Sequence, residues 1–427
     1  MTSAEGPSKL ESGIHMNMRF VSSASDAVNA NQAVETVCRQ ITEQLAGASC
    51  NLACLFVSPI YQTDWSALLT ALFEQLKPDV LVGCSGSGII GGEQELEWVP
   101  AVSLVAAHLP DVRLFPFVVG PDELELSNPG GFWVDKIGVS PESHPIFILF
   151  ADPYTCNAAK LVTELNTTYK ERPVIGGLVS GGNQPGEHFI FMDTEVYREG
   201  AVGVAMTGNI AVDTVVSQGC RPVGRPYVIT KAEDNIIWQL GGRQSLAVLH
   251  EVLSSLSPED RELAQKGSVF VGLVINEMRS AFGSGDFLIR NIIGIDPNLG
   301  AIAVAEPVQV GQTLQFHLRD ATTSRQELRR LLQQIGQSPK VFPPAGCLLF
   351  NCTGRGRSLY GIAHHDVKTI QTVSGKLPIG GFFCNGEIGP IGGTNFLHGY
   401  TASLGLFRPL TITPPHYQSS DVPGRTT

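Results

Sequence analysis

Hydrophobic positions along this chain fall into two rhythms that alternate. Unbroken apolar runs of the kind that fill both faces of a buried strand occur at residues 51–58, 146–150 and 346–351. Each is followed by a stretch in which apolar residues recur every three or four positions. In the first stretch Asp64 reads as an N-cap, Leu68, Leu69, Leu72, Phe73 and Leu76 share a helical face, and Pro78 ends the helix. In the second, Leu161, Val162, Leu165 and Tyr169 line a helix over 158–169 that stops before Pro173; in the third, a helix over 358–373 stops before Pro378.

After each proline comes a glycine-rich turn, at Gly83-Cys84-Ser85-Gly86-Ser87-Gly88, at Gly176-Gly177-Leu178-Val179-Ser180-Gly181-Gly182 and at Gly380-Gly381-Phe382-Phe383-Cys384-Asn385-Gly386-Glu387. Glycine serves where the backbone needs positive φ or a close approach, so one motif reused three times reads as a shared structural device with different polar tips. Further strands at 101–107, 201–206 and 401–407 complete the copies. The first two copies are offset by roughly 95 residues, a spacing too long for a solenoid and suited to repeated half-domains.

Between the second and third copies the pattern changes. Residues 227–230 and 235–240 read as a hairpin, 244–256 as a helix, Ser257-Pro258 as the cap and first residue of another, 269–275, 287–295, 302–305 and 313–318 as strands, and 324–335 as a helix. The expected class is α/β, with α+β as the alternative: two domains of mixed β-sheets flanked by helices, containing internally duplicated strand-helix-strand units. The divisions read as a disordered leader over 1–18, an N-terminal domain over 19–224, a C-terminal domain over 225–410 and a mobile tail over 411–427.

Composition narrows the function classes. With 427 residues, 43% hydrophobic and 16% charged, the chain can bury a large interior. A formal net charge of −11 argues against nucleic-acid and anionic-membrane partners, which need clustered cations. No run approaches the ~20 apolar residues of a membrane span, and the N-terminus lacks the apolar core of a signal peptide. Nine irregularly spaced cysteines read as reduced thiols of a cytoplasmic protein. Neither the Cys50/Cys54 pair nor His364-His365 has a metal-ligand spacing, so no metal and no cofactor are expected.

Several motifs carry candidate chemistry. Gly86-Ser87-Gly88-Ile89-Ile90-Gly91 matches a dinucleotide fingerprint as a string, but it opens onto a strand pattern rather than a helix. No nucleophile elbow or phosphate-loop lysine is present. Cys384 and His398 are close enough along the chain to be considered as a dyad, against the plainer reading of a buried thiol and a strand-flanking histidine. Glu387 follows a glycine-rich apolar run in which a carboxylate is costly unless partnered; it is either a surface turn residue or a ligand contact. Arg290, inside the apolar strand 287–295, poses the same question with opposite sign, and an ion pair between the two is a third option. Asn351 and Arg355 leave a buried strand at its carboxyl end, where α/β folds place ligand contacts.

Taken together, Phe20-Val21-Ser22-Ser23-Ala24-Ser25, Leu55-Phe56-Val57-Ser58, the second glycine turn, Asn291-Ile292-Ile293-Gly294-Ile295-Asp296 and the run Gly380 to Pro390 resemble the FIST family, the F-box and intracellular signal transduction proteins. The resemblance covers nearly the whole chain between its tails and implies an N-terminal and a C-terminal FIST domain without an F-box. It also implies a sensory role with small ligands such as amino acids and no established catalytic residues. The leading expectation is therefore a stand-alone cytoplasmic sensor that binds a small polar metabolite, with Ser180, Arg290, Asn351, Arg355, Asn385 and Glu387 as contacts and a signalling protein downstream. An amino acid suits this set, because arginines meet a carboxylate and Glu387 an ammonium group. A partner-recruiting scaffold is the alternative, and an enzyme built on Cys384 or His398 ranks below both.

Overall fold

In the computed structural model, which describes residues 17–61, 63–279, 281–283, 285–337 and 342–410, each of the three apolar runs is a central strand of its own six-stranded sheet. The first sheet runs Arg19–Ser25, Val102–His108, Leu52–Val57, Val80–Ser85, and then a hairpin, Ile190–Met192 with Glu195–Tyr197. The second runs Val112–Val119, Ala201–Gly208, Ile146–Ala151, Val174–Leu178, and the hairpin Gly386–Ile391 with Thr394–His398. The third runs Ala211–Ser217, Ala402–Arg408, Gly346–Cys352, Ile379–Cys384, and the hairpin Gly88–Gly91 with Gln94–Glu97. In every sheet the two middle strands are parallel and the other neighbours antiparallel. This is the mixed-sheet α/β architecture expected from the sequence.

The closing hairpin of each sheet is made by a different copy. The first copy gives its hairpin to the third sheet, the third gives to the second, and the second gives to the first. The exchange closes in a ring, so no copy completes its sheet alone.

The glycine turns make this ring possible. In all three sheets a glycine sits in register with a leucine of the parallel strand: Gly83 opposite Leu55, Gly176 opposite Leu149, Gly381 opposite Leu349. A Cβ on these glycines would come within 2.1, 1.8 and 1.8 Å of the leucine carbonyl oxygens, a contact no side chain tolerates. The next residue along the leucine strands is phenylalanine each time, and Phe56, Phe150 and Phe350 turn to the shared centre. There they pack edge-on or stacked around Phe382 with ring centroids 5.5–5.8 Å apart. The outer face of each sheet is covered by helices: Ala30–Leu45 and Trp65–Leu76, then Ala158–Thr168 with shorter helices, then Ala321–Gln337 and His365–Ser374.

Capping follows the sequence where it was read: Asp64 accepts from the Ser66 and Ala67 N–H groups, and Ser257 accepts from Asp260 N–H ahead of Pro258. The helix expected over 358–373 is instead two, Gly356–Tyr360 and His365–Ser374. Gly361 and His364 both take left-handed φ, 68° and 61°, which stops one helix and restarts the chain in a new direction.

After Ala211–Ser217 the chain leaves the third sheet and builds a seven-stranded antiparallel sheet from residues between Cys220 and Arg319, returning through Ala321–Gln337. Helices Ser245–Ser254 and Pro258–Gln265 cover one face of this inserted sheet. Its opposite face, with Phe270, Val274, Phe287 and Ile289, meets Tyr400 of the third copy, and the Phe270 and Tyr400 rings lie 4.5 Å apart. The seam between the inserted sheet and residues 397–402 is therefore walled by both parts. The leader and tail read from the sequence lie mostly outside the described residues.

Candidate functional site

The six residues singled out from the sequence fall into three settings. Ser180 and Asn385 belong to the place where the glycine turns meet. Ser180 is fully buried; its hydroxyl accepts from Ser87 N–H at 2.9 Å and donates to the Phe383 carbonyl. Asn385 is exposed, and its backbone N–H donates to the Leu178 carbonyl at 3.0 Å. One hydroxyl thus ties the turns of all three copies together.

Asn351 and Arg355 face the helices of the third copy. Arg355 is fully buried and grips Asp366 through Nε (2.8 Å) and Nη2 (3.1 Å), while also donating to Tyr360 Oη and the Ser217 carbonyl. Burial by itself raises an aspartate, but here the Arg355 charge and the His365 and Arg355 hydrogen bonds outweigh it and hold Asp366 well below the usual range. Glu95, from the hairpin lent by the first copy, accepts from Val367 N–H at 2.8 Å. Burial and the nearby Asp366 charge push Glu95 up to about 8. Asn351 is fully buried on the face of its strand shared with Cys347 and Leu349, and its amide oxygen and nitrogen have no protein partner.

Glu387 and Arg290 lie at the seam, and they do not pair with each other. Arg290 pairs with Glu306 at 2.6 Å and donates to the Leu397 carbonyl at 3.0 Å. Glu387 is fully buried, which removes the surface-turn reading. Its Oε2 accepts from Thr401 N–H (3.0 Å) and Thr401 Oγ1 (2.7 Å), while Oε1 has no partner. Burial is the dominant influence on Glu387 and outweighs the Thr401 hydrogen bonds, pushing its pKa up to about 8.

Sequence reading missed Arg319, the last residue of strand Thr313–Arg319. Its Nη2 donates to the Gly354 and Tyr400 carbonyls at 3.2 and 3.4 Å, its guanidinium lies 5.0 Å from the Tyr400 ring centre, and its Nε has no partner. Among the described residues no carboxylate lies within ion-pair distance of it. Burial first, then the Arg355 charge, lowers its pKa from the ordinary arginine value. The only signal in the sequence was a cation ending an apolar strand just before the chain re-enters the third copy.

Residues 397–402 organise the seam: Leu397 takes Arg290, Tyr400 takes Arg319, Thr401 takes Glu387 and the Cys352 N–H, and Ala402 is in register with Asn351. Tyr400 and Thr401 are neighbours in the chain, so the end of an inserted-sheet strand and the hairpin of the third copy bond opposite edges of one peptide. The Cys352 thiol beside them is pushed up to about 11 by burial and by Glu387, so it is a thiol rather than a thiolate. Cys384 and His398 form no dyad: the thiol donates to the Phe382 carbonyl, and His398 Nε2 bonds the Gly389 carbonyl at 2.9 Å. Burial lowers His398 to about 4, so the ring is neutral. Among the described residues no group of three His, Cys, Asp or Glu is placed to hold a metal ion, and no helix is long and apolar enough to cross a membrane.

Comparison with known proteins agrees with this architecture. The model of the FIST N domain matches residues 51–243, and that of the FIST C domain matches residues 245–390. An uncharacterized protein of Mycobacterium tuberculosis is 38% identical over 391 residues, covering 91% of this chain and 100% of its own length. An uncharacterized protein of Mycobacterium bovis is 39% identical over 380 residues, covering 89% of this chain and 96% of its own length. The chain belongs to the FIST family, whose domains are sensory domains of signal transduction.

Proposed function

We propose that the protein is a cytoplasmic sensor that binds a small polar metabolite, an amino acid or a molecule of similar size, at the seam between the inserted sheet and residues 397–402. The observation that carries this reading is the presence at one seam of two half-satisfied groups, a buried acid and a half-buried arginine. Glu387 spends one oxygen on Thr401 and leaves Oε1 unpartnered, and Arg319, bonded to the carbonyl of the preceding Tyr400, leaves Nε unpartnered. Buried polar atoms normally find partners, and a group left open costs about 1–3 kcal/mol. A guest molecule that completes both would recover that cost.

In this reading Glu387 and Arg319 contact the ligand, and Arg290 borders it. Asn351 and Arg355 lie behind the third sheet, and Ser180 and Asn385 belong to the meeting point of the glycine turns rather than to the ligand contacts. The inserted sheet supplies Arg319 while the third copy supplies Glu387, so occupancy would be felt by both parts, as signalling requires. All nine cysteines are free and buried, which supports a reducing compartment such as the cytoplasm. A thermal-shift screen of amino acids and related metabolites tests the proposal. A true ligand at a hundred times its Kd raises stability by roughly 2.7 kcal/mol in the wild type. The shift should vanish in Glu387→Leu, and a screen without any Glu387-dependent shift would reject the reading.

One observation favours a partner-recruiting surface as a second reading. Ile293, Ile295 and Leu299 of the inserted sheet are each more than half exposed. Such a surface suits the downstream signalling partner of a sensor, so the two readings are compatible.

A further inference from the structure

The second glycine turn differs from the other two in length. The first copy passes from its parallel strand to its lent hairpin through Gly86 and Ser87, and the third through Asn385 alone, whereas the second takes residues 179–189 to join Val174–Leu178 to Ile190–Met192. Closing the ring needs no such loop, as the other copies show. Residues 181 and 183–187 are exposed, and Gly181 and Gly186 take φ of 100° and 83°, which lets the chain turn out and back. The loop is braced from within: Glu187 accepts from Asn183 N–H at 2.7 Å and from Gln184 Nε2 at 2.9 Å. Among the described residues, the one hydrogen bond from 181–187 to the rest of the molecule is donated by Arg198 Nη1 to the Gly186 carbonyl, at 2.7 Å.

Beneath this loop two ionisable side chains, Asp152 and His188, are fully buried at the carboxyl end of strand Ile146–Ala151, where α/β folds place ligand contacts. His188 Nδ1 lies 2.7 Å from Asp152 Oδ2, and Asp152 Oδ1 accepts from Tyr154 N–H (3.0 Å), Thr155 N–H (2.8 Å) and Thr155 Oγ1 (2.8 Å). With its carboxyl group held on both oxygens, Asp152 fixes the imidazole with Nδ1 toward it. Nε2 is then the nitrogen left for another group, and in a neutral ring it is a lone-pair acceptor. Among the described residues nothing bonds it, although it is buried. The loop crosses this atom without a side chain, since a Cβ on Gly182 would lie 3.1 Å from Nε2. The Tyr154 ring, 47% exposed, stacks on the imidazole with centroids 5.5 Å apart and forms an aromatic wall beside it.

We infer that residues 181–187 are a lid over a second ligand site, in which the Asp152–His188 pair presents Nε2 to a guest that donates an N–H or O–H group. A buried polar atom without a partner is costly, and an imidazole held in place by a carboxylate is already oriented before the guest arrives. Lifting the lid breaks the Arg198 bond and leaves the bonds within the loop intact, so opening is local. The site shares no residue with the seam, and each stands or falls without the other.

Two measurements on the full-length protein test this. Diethyl pyrocarbonate acylates an accessible, unprotonated imidazole nitrogen, and peptide mapping locates the product. His317 and His398, buried in the core, report global unfolding, and the exposed His250 reports open solvent. His188 should react about tenfold or more faster than His317 and His398 and more slowly than His250, because local opening outpaces global unfolding. Arg198→Ala, which frees the Gly186 carbonyl, should speed His188 about threefold or more and leave the two buried histidines unchanged. The second measurement reads the guest. In protein labelled with nitrogen-15 histidine, His188 is assigned by the signals lost in His188→Gln. Its Nε2 signal should move on addition of phenol and hold its position with anisole, which has the same ring and no O–H donor. The inference is overturned if His188 reacts only as fast as His317 and His398, or if Arg198→Ala leaves its rate unchanged. It is equally overturned if phenol fails to move Nε2 or anisole moves it as far.

Discussion

The meeting point of the glycine turns and the seam below Tyr400 are both buried polar places, built by the same repeated motif, yet they are finished differently. At the turns, Ser180 spends its hydroxyl on Ser87 and Phe383 and leaves nothing open. At the seam, Glu387, two residues beyond the tip of the third turn, leaves Oε1 open, and Arg319 leaves Nε open. A satisfied polar group inside a protein holds structure together, and an unsatisfied one stores a demand for a partner. The first two copies end in residues that close the ring, whereas the third places an ionisable side chain where an insertion has added a facing wall.

The largest expected effect lies on the closed side of this contrast. Gly381→Ala would drive a Cβ to 1.8 Å from the Leu349 carbonyl oxygen at a φ of 153°, and Gly176→Ala would do the same at Leu149. Each should cost about 3 kcal/mol or more in chemical denaturation, and similar losses would support the equivalence of the copies. Arg355→Met leaves Asp366 buried without its cation and should cost about 3–5 kcal/mol by the same measurement. Ser180→Ala strands the Ser87 N–H and the Phe383 carbonyl, so a loss of about 1–3 kcal/mol is expected with ligand affinity unchanged. Reduced affinity in Ser180→Ala would blur the distinction between the two places.

The smallest effect at neutral pH belongs to Glu387→Gln, with a stability change within about 1 kcal/mol, and its interest lies in pH. Glu387 and Glu95 both have folded pKa values raised to about 8, above those of an unfolded chain. The folded state therefore holds extra protons between about pH 4.5 and 8, and the stability they confer is complete below that window and lost as pH rises through it. Denaturation midpoints across this range should fall less steeply in Glu387→Gln than in the wild type. An unchanged slope would place the titration elsewhere.

Much of the scaffold was legible because it is local. The apolar runs, the proline stops and the caps at Asp64 and Ser257 are decided by neighbours in the chain, and the glycine turns signalled a reused device before its purpose was visible. The purpose, close approach to Leu55, Leu149 and Leu349, depends on a register that no local pattern encodes. The ring exchange of hairpins is equally hidden, since Gly88–Gly91 pairs with Ile379–Cys384 far along the chain. Helix Ala30–Leu45 is equally local, with Ala33, Val34, Val37, Cys38 and Ile41 spaced along its buried face. At the seam, the cost of burying Glu387 was foreseeable from its apolar surroundings. Its partner was not: Arg290 is suitable by charge but pairs with Glu306, and Glu387 bonds Thr401, which a register between distant segments brings to it.

The account turns on the state of one side chain, and infrared difference spectroscopy reads that state directly. A spectrum of the wild type minus Glu387→Gln at pH 7 should contain the carbonyl stretch of a protonated, buried carboxylic acid, fading with a midpoint near pH 8 and shifting when a ligand is added. A carboxylate band at pH 7, with protonation only near the ordinary range of about 4.3, would contradict it.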